Sequence, residues 1–209
     1  MLNDTLAPMG WWLEPSEAQQ FLVGLRRCPH HPILATRHLR LRKISRPDVE
    51  YLETALQSAA LFEPQLLPVR AQAEIGVQSL PKGPMNDASL QWAVCQLETG
   101  ALVGYICLQD IDLDHSQAEL RFWLAPGPNW SLHAVEAGQV TLAYAFSSLS
   151  LVSLYAFSTR GHQSTHDALL GIGLRPLQHA SKARESWDRC PEVQIWNVTR
   201  HRWMRCLNT

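Results

Sequence analysis

Residues 90–125 read LQWAVCQL (90–97), ETG, ALVGYICLQDI (101–111), DLDHS and QAELRFWLA (117–125). Three apolar runs of strand length are separated only by short connectors carrying Gly100 or the aspartates 112 and 114. Connectors that short leave no room for a crossover helix, so the runs predict an antiparallel meander. Outward from it, LVSLYAFS (151–158) and VQIWNVT (193–199) read as further strands. Between the meander and the first of these, Ala134, Ala137, Val140, Thr141 and Tyr144 fall on one stripe of a helix that starts after Pro126-Gly127-Pro128 and stops near Leu149. Strands followed by a strand–helix–strand unit give an α+β class with a mixed sheet.

Upstream, Leu39 and Leu41, then Ile44, alternate with basic residues in RHLRLRKIS, a half-buried strand. Ser45 and Asp48 form a capping box with Pro47 in the first turn, and Val49, Leu52, Leu56 and Ala59 follow at helical spacing over 46–62. Residues 63–88, punctuated by Pro64, Pro68, Pro81 and Pro84, have room for one short helix around 69–79 before the loop PKGPMND. A second short helix runs over 164–172 and ends at Gly173. Residues 1–35 read as an extension with a short helix around Phe21, Leu22 and Leu25, and 36–209 as the folded domain. Trp11-Trp12 precede any core element and could cap the domain or seal a homodimer contact.

The 209 residues are 46% hydrophobic and 18% charged, enough to build a core without disulfides or metal. A net charge of -1 argues against nucleic-acid binding driven by a basic surface. Cys28, Cys95, Cys107, Cys190 and Cys206 show no CxxC spacing, which fits reduced thiols in the cytoplasm and no zinc site. The first residues lack the basic start and apolar stretch of a signal peptide, and no run approaches a membrane span. Asp110, Asp112 and Asp114 with His115 lack the glycine and distal glutamate of a calcium loop and read as a solvated turn. Cys28, His30 and His31 lack spaced partners for a metal, and Ser153 and Ser158 lie in no GxSxG context.

The order of these segments resembles the GNAT acetyltransferase superfamily, and most closely its branch of ribosomal-protein N-terminal acetyltransferases. The resemblance rests on TRHLRLRKIS, PDVEYLETAL, WAVCQLETGALVGYICLQDID, AELRFWL, HAVEAGQVTLAYAFSSLSL, GIGLRP and ESWDRCPEVQIWNV, in that order over about residues 36–203. It implies a mostly antiparallel central sheet, helices on both faces and a splayed parallel strand pair. It also implies an acyltransferase that moves an acetyl group from acetyl-CoA to a primary amine, a protein N-terminus or a small amine, by direct attack. By the same resemblance Phe122, Trp123 and Leu124 line the pantetheine with backbone groups. Backbone amides across Asn129, Trp130, Ser131, Leu132, His133 and Ala134 hold the pyrophosphate, where free N–H groups and a helix dipole make an anion site.

Two positions depart from the family's loop. Leu132 stands where glycine is usual, so a positive φ there would be strained, and Asn129 stands where Gln or Arg is usual. Glu119 matches the strand carboxylate placed near the amine, and its neighbours Leu120, Phe122 and Trp123 are expected to favour a base that works near neutral pH. The plainer reading of Glu119 is a strand carboxylate paired with Arg121, Arg160 or solvent. Thr165, with Ser164 beside it, falls where the family places a hydroxyl that meets the departing thiolate; a helix N-cap is the plainer reading there. An alternative for the whole chain is a GNAT-fold binding or regulatory module, or an enzyme using another acyl donor such as an acyl carrier protein. Leu132, Pro126, Pro128 and the lack of Lys or Arg between Arg121 and Arg160 motivate it.

Overall fold

The structure, a computed structural model, describes residues 32–62, 89–112, 114–159, 161–177 and 193–207. Along the chain run β1 (Leu34–Ala35), β2 (Leu39–Lys43), α1 (Arg46–Phe62), β3 (Leu90–Gln96), β4 (Leu102–Asp112) and β5 (Gln117–Leu124). They are followed by α2 (Trp130–Ser147), β6 (Ser153–Thr159), α3 (Gln163–Ile172), β7 (Arg175–Pro176), β8 (Val193–Thr199) and α4 (Arg200–Leu207). The strands form one sheet in the order β1-β2-β3-β4-β5-β6-β8-β7. Every neighbouring pair is antiparallel except β5 and β6, which run parallel.

Period-two alternation sorts the side chains onto two faces. Leu39, Leu41, Trp92, Val94, Ile106, Leu108, Ala118 and Leu120 face a core shared with Ala134 and Leu142 of α2 and Leu169 and Ile172 of α3. Their neighbours Ala93, Cys95, Tyr105 and Cys107 face the other way, against Val49 and Leu52 of α1. Helices therefore cover both faces. Ile44, beyond the end of β2, joins the α1 side rather than continuing the alternation of Leu39 and Leu41.

Helix α1 begins where its capping residues place it. Ser45 donates its N–H to Asp48 Oδ2 at 2.7 Å, and Val49 N–H closes the first turn on Ser45 O at 3.2 Å. Helices α2 and α3 cross closely because Gly138 has no side chain; a Cβ there would overlap Ile172. Gly173 ends α3 at φ 115°, with its own N–H and that of Leu174 folding back on Leu169 O.

Three features differ from the sequence expectations. Ser164 and Thr165 lie inside α3; the residue before its first turn is His162, which makes no side-chain cap bond, so the hydroxyls are not caps. The basic helix α4 was not expected, because its sequence is mostly cationic; Trp203, its ring centroid 5.5 Å from that of Phe146, anchors it to the core. The expected solvated turn over 110–114 is partly strand: β4 continues to Asp112, with an irregularity between Gln109 and Asp112 and Asp110 at φ 49°. The expected helices within 1–35 and around 69–79, and Trp11, Trp12, Cys28, His30 and His31, lie outside the described residues.

Candidate active site

The parallel pair is short. Gln117, Ala118 and Glu119 face Ser153, Leu154 and Tyr155, and there the pairing stops. Beyond that rung β5 stays on β4 as far as Leu124, whereas β6 stays on β8 as far as Thr159. The two strands part, and the wedge between them opens at Glu119 and Tyr155. Ala125 N–H donates to Val103 O at 2.8 Å, so by the alternation of an antiparallel ladder the peptide groups of Phe122 and Leu124 turn away from β4 and into the wedge. Phe122 packs its ring on the α2 side and Trp123 on the α1 side.

At the open end of the wedge stands the N-terminus of α2. Asn129 precedes the helix at φ -102°, ψ 13° with no side-chain cap bond, and the first turn carries no acidic residue. Trp130 N–H reaches Gly127 O and His133 N–H reaches Asn129 O; among the described residues the N–H groups of Ser131 and Leu132 have no acceptor. Uncapped donors at a helix N-terminus suit a phosphate oxygen. Leu132 is not among the non-glycine residues with positive φ, so it sits in ordinary helix without strain, its side chain 45% exposed. His133 and Ala134 are buried beneath this turn. The wedge and the bare helix end thus fit a pantetheine arm followed by a pyrophosphate. One fork-facing acceptor is already engaged, since Trp130 Nε1 donates to Leu124 O at 3.2 Å.

Glu119, at the apex, is 3% exposed. Its carboxylate accepts from Arg121 on the same strand face, Nε to Oε1 at 2.5 Å and Nη2 to Oε2 at 3.3 Å. Burial opposes the charge of Arg121, and the bonds and charge of Glu119 outweigh it, so the guanidinium pKa is raised. Gln109 lies directly across from Glu119 on β4. With its amide oxygen toward the guanidinium it accepts from Nη2 at 3.0 Å and Nε at 3.1 Å. Cys107, next along that face, is fully enclosed; burial pushes its thiol up to about 12 despite the charge of Arg121, which leaves it neutral and inert.

The structure brings Glu119, the peptide groups of Phe122 and Leu124 and the start of α2 to one wedge, whereas the peptide groups of Trp123 turn toward β4. Ser164 and Thr165 sit elsewhere, in the first turn of α3. From the apex at Tyr155, β6 runs four residues to Thr159 before the loop to α3, about 13 Å of strand. Sequence reasoning missed Gln109 and Tyr155 as neighbours of Glu119. Nothing local marks either one, because only the inter-strand register puts them there.

Among the described residues, one parallel strand pair splays beside a bare helix N-terminus in an otherwise antiparallel sheet. The family described as "Acetyltransferase (GNAT) domain" matches residues 38–175, about two thirds of the chain. The chain belongs to the GNAT acetyltransferase family, a family of transferase enzymes. No curated protein matches it. Among solved structures it is similar to a provisionally assigned ribosomal-protein-serine acetyltransferase from Vibrio cholerae, with TM-score 0.61 and 17% identity over 82% of this chain and 99% of that one. A GCN5-related N-acetyltransferase from Brucella melitensis gives 0.60 and 20%, over 84% and 82% of the two chains. Spermidine N-acetyltransferase from Vibrio cholerae, solved with CoA and spermine, gives 0.57 and 17%, over 81% and 99%. Identities this low speak for the fold. Among the described residues no group of His, Cys, Asp and Glu could hold a metal, and no helix is long and apolar enough to cross a membrane.

Proposed function

We propose that this protein transfers an acetyl group from acetyl-CoA to a primary amine by direct attack in a ternary complex. The observation that carries the reading is the opening of the β5–β6 pair at Glu119, with a bare helix N-terminus at its far end. Backbone groups of Phe122 and Leu124 are assigned to the pantetheine; those of Trp123, expected there from the resemblance, face β4 instead. The turn from Asn129 through Ala134 is assigned to the pyrophosphate, with the Ser131 and Leu132 N–H groups as donors. Acetyl-CoA supplies an activated acyl carbon and a thiolate leaving group. Glu119 takes the ammonium proton, directly or through a water, so that the neutral amine can attack. Ser164 and Thr165, in the first turn of α3 and outside the wedge, are given no part in the reaction. The acceptor is an amine of a protein N-terminus or a small molecule.

Titration with acetyl-CoA and with desulfo-CoA, followed by an amine acetylation assay, tests the reading. Binding near micromolar, about -8 kcal/mol, is expected. In the assay Glu119→Gln is expected to lower kcat about 100-fold with acetyl-CoA affinity within twofold of wild type. An unchanged kcat would remove Glu119 from the mechanism, and no binding at millimolar acetyl-CoA would remove the reaction. A second reading, a GNAT-fold module that binds another acyl donor or none, is favoured by one observation: the Trp130 indole already sits on the fork-facing carbonyl of Leu124.

A further inference from the structure

Among the described residues three indoles donate a hydrogen bond, and one of them does so inside the wedge. Trp92 Nε1 reaches Pro32 O and Trp196 Nε1 reaches Ser158 Oγ, both at 2.8 Å and both from buried side chains. Trp130 differs. Its Nε1 reaches Leu124 O at 3.2 Å, the long end of the range for such bonds, and its ring packs half-buried against the core. The four residues before it, Pro126 to Asn129, are exposed. Leu124 O is the last fork-facing carbonyl of β5, since Ala125 has already turned back to Val103. An indole nitrogen on that carbonyl therefore occupies the place where a ligand's own donor would sit.

We propose that Trp130 gates the donor site: its indole holds Leu124 O in the free protein and releases it when a pantetheine arm enters, the arm's amide N–H taking the place of the indole N–H. This rests on the proposed binding of acetyl-CoA in the wedge and adds a step to it. Replacing one neutral N–H by another leaves the carbonyl satisfied, and the released indole turns to water beside the exposed residues 126–129. Trp92 and Trp196 have no such exit, because their rings lie inside the core and their partners face no wedge. The empty site is thus kept from leaving a buried acceptor bare, at the cost of one hydrogen bond that every incoming donor must break.

The test follows the indole N–H groups by proton–nitrogen NMR while desulfo-CoA, which binds without transfer, is titrated in. Calorimetry compares the affinity of wild type and Trp130→Phe for the same ligand. The phenylalanine keeps an aromatic ring on the core, loses the donor and assigns the Trp130 resonance by its disappearance. In wild type the Trp130 N–H is expected to be protected from water exchange in the free protein and to lose that protection at saturation, while Trp92 and Trp196 keep theirs. Trp130→Phe is expected to bind desulfo-CoA about fivefold more tightly, the scale of one neutral hydrogen bond no longer broken on entry. Should that variant fold poorly, Trp130→Leu, which also lacks the donor, supplies the comparison. Unchanged protection of Trp130 in saturated wild type, or equal or weaker affinity in the variant, would overturn the gate and leave donor binding standing. Binding by the variant with none by wild type would uphold a gate held shut, whereas no binding by either would sink the gate together with the donor site. A gate that opens for desulfo-CoA in a protein that acetylates no amine would uphold the inference and sink the transfer.

Discussion

At the start of α1, Ser45 gives both its N–H and its hydroxyl to Asp48, and Arg42 clasps the same carboxylate at 2.7 and 2.8 Å. At the start of α2, Asn129 caps nothing, no acid occupies the first turn, and two N–H groups lack acceptors among the described residues. Both helix ends have the same intrinsic demand for negative charge. The chain meets it internally at α1 and leaves it without a side-chain cap or first-turn acid at α2, beside the mouth of the β5–β6 wedge, and at α3. A missing cap is weak evidence alone. What sets α2 apart from the equally uncapped α3 is its place at the mouth of the fork, and that place is what the proposed phosphate site rests on.

Changes at either end should break that contrast in opposite directions. The largest effect on stability is expected from Asp48→Asn, about 2 kcal/mol by denaturant melts, since it discharges the cap and leaves Arg42 without its countercharge. Burial alone would raise the pKa of Asp48, but its bonds to Arg42 and Ser45 hold it below the ordinary carboxylate value. A folded value below the unfolded one gives stability that is fully present above the ordinary carboxylate range. That stability is lost as pH falls through the folded value. Stability measured from pH 6 downward should therefore decline more gently in the Asp48→Asn variant than in wild type below about pH 4. Parallel limbs would show that Glu136, also held low by Thr36 and His38, governs the acid loss instead.

At the other end, Ser131→Glu supplies the missing acid. It should raise stability by about 0.5 kcal/mol through the helix dipole and weaken acetyl-CoA binding at least tenfold. A variant that binds acetyl-CoA as well as wild type would show that the bare turn is not the phosphate site. The smallest effect is expected from Leu132→Gly. The backbone there is ordinary helix and the side chain points largely outward, so affinity should stay within twofold while stability falls by about 1 kcal/mol from helix propensity alone. A gain in affinity would instead show that the leucine side chain obstructs the ligand.

Much of this was legible in the chain itself. The bounds of α1 follow from Ser45, Asp48 and the spacing of Val49 and Leu52, and VQIWNVT marks β8 to the residue. The meander follows from short connectors between apolar runs, and Gly173 closes α3 where a left-handed residue was needed. Glu119 and Arg121, two apart on one strand, were readable as neighbours on one face. These signals are local: they depend on residues within one turn or one strand of each other, where sterics and hydrogen bonding act directly.

Other features were decided only in three dimensions. Which strand lies beside β5, and that its pairing ends at Tyr155, depends on packing between segments more than thirty residues apart. The engagement of Arg121 by Gln109, and the indole of Trp130 on Leu124 O, follow from register and from the angle at which α2 leaves the sheet. Helix α4 forms because the core offers Trp203 a place beside Phe146, although the surrounding sequence is mostly cationic. The sequence by itself determined the elements and the side chains able to do chemistry. Tertiary packing decided which backbone groups stay unpaired, because a hydrogen-bond donor is left for a ligand only when no other part of the chain has reached it first.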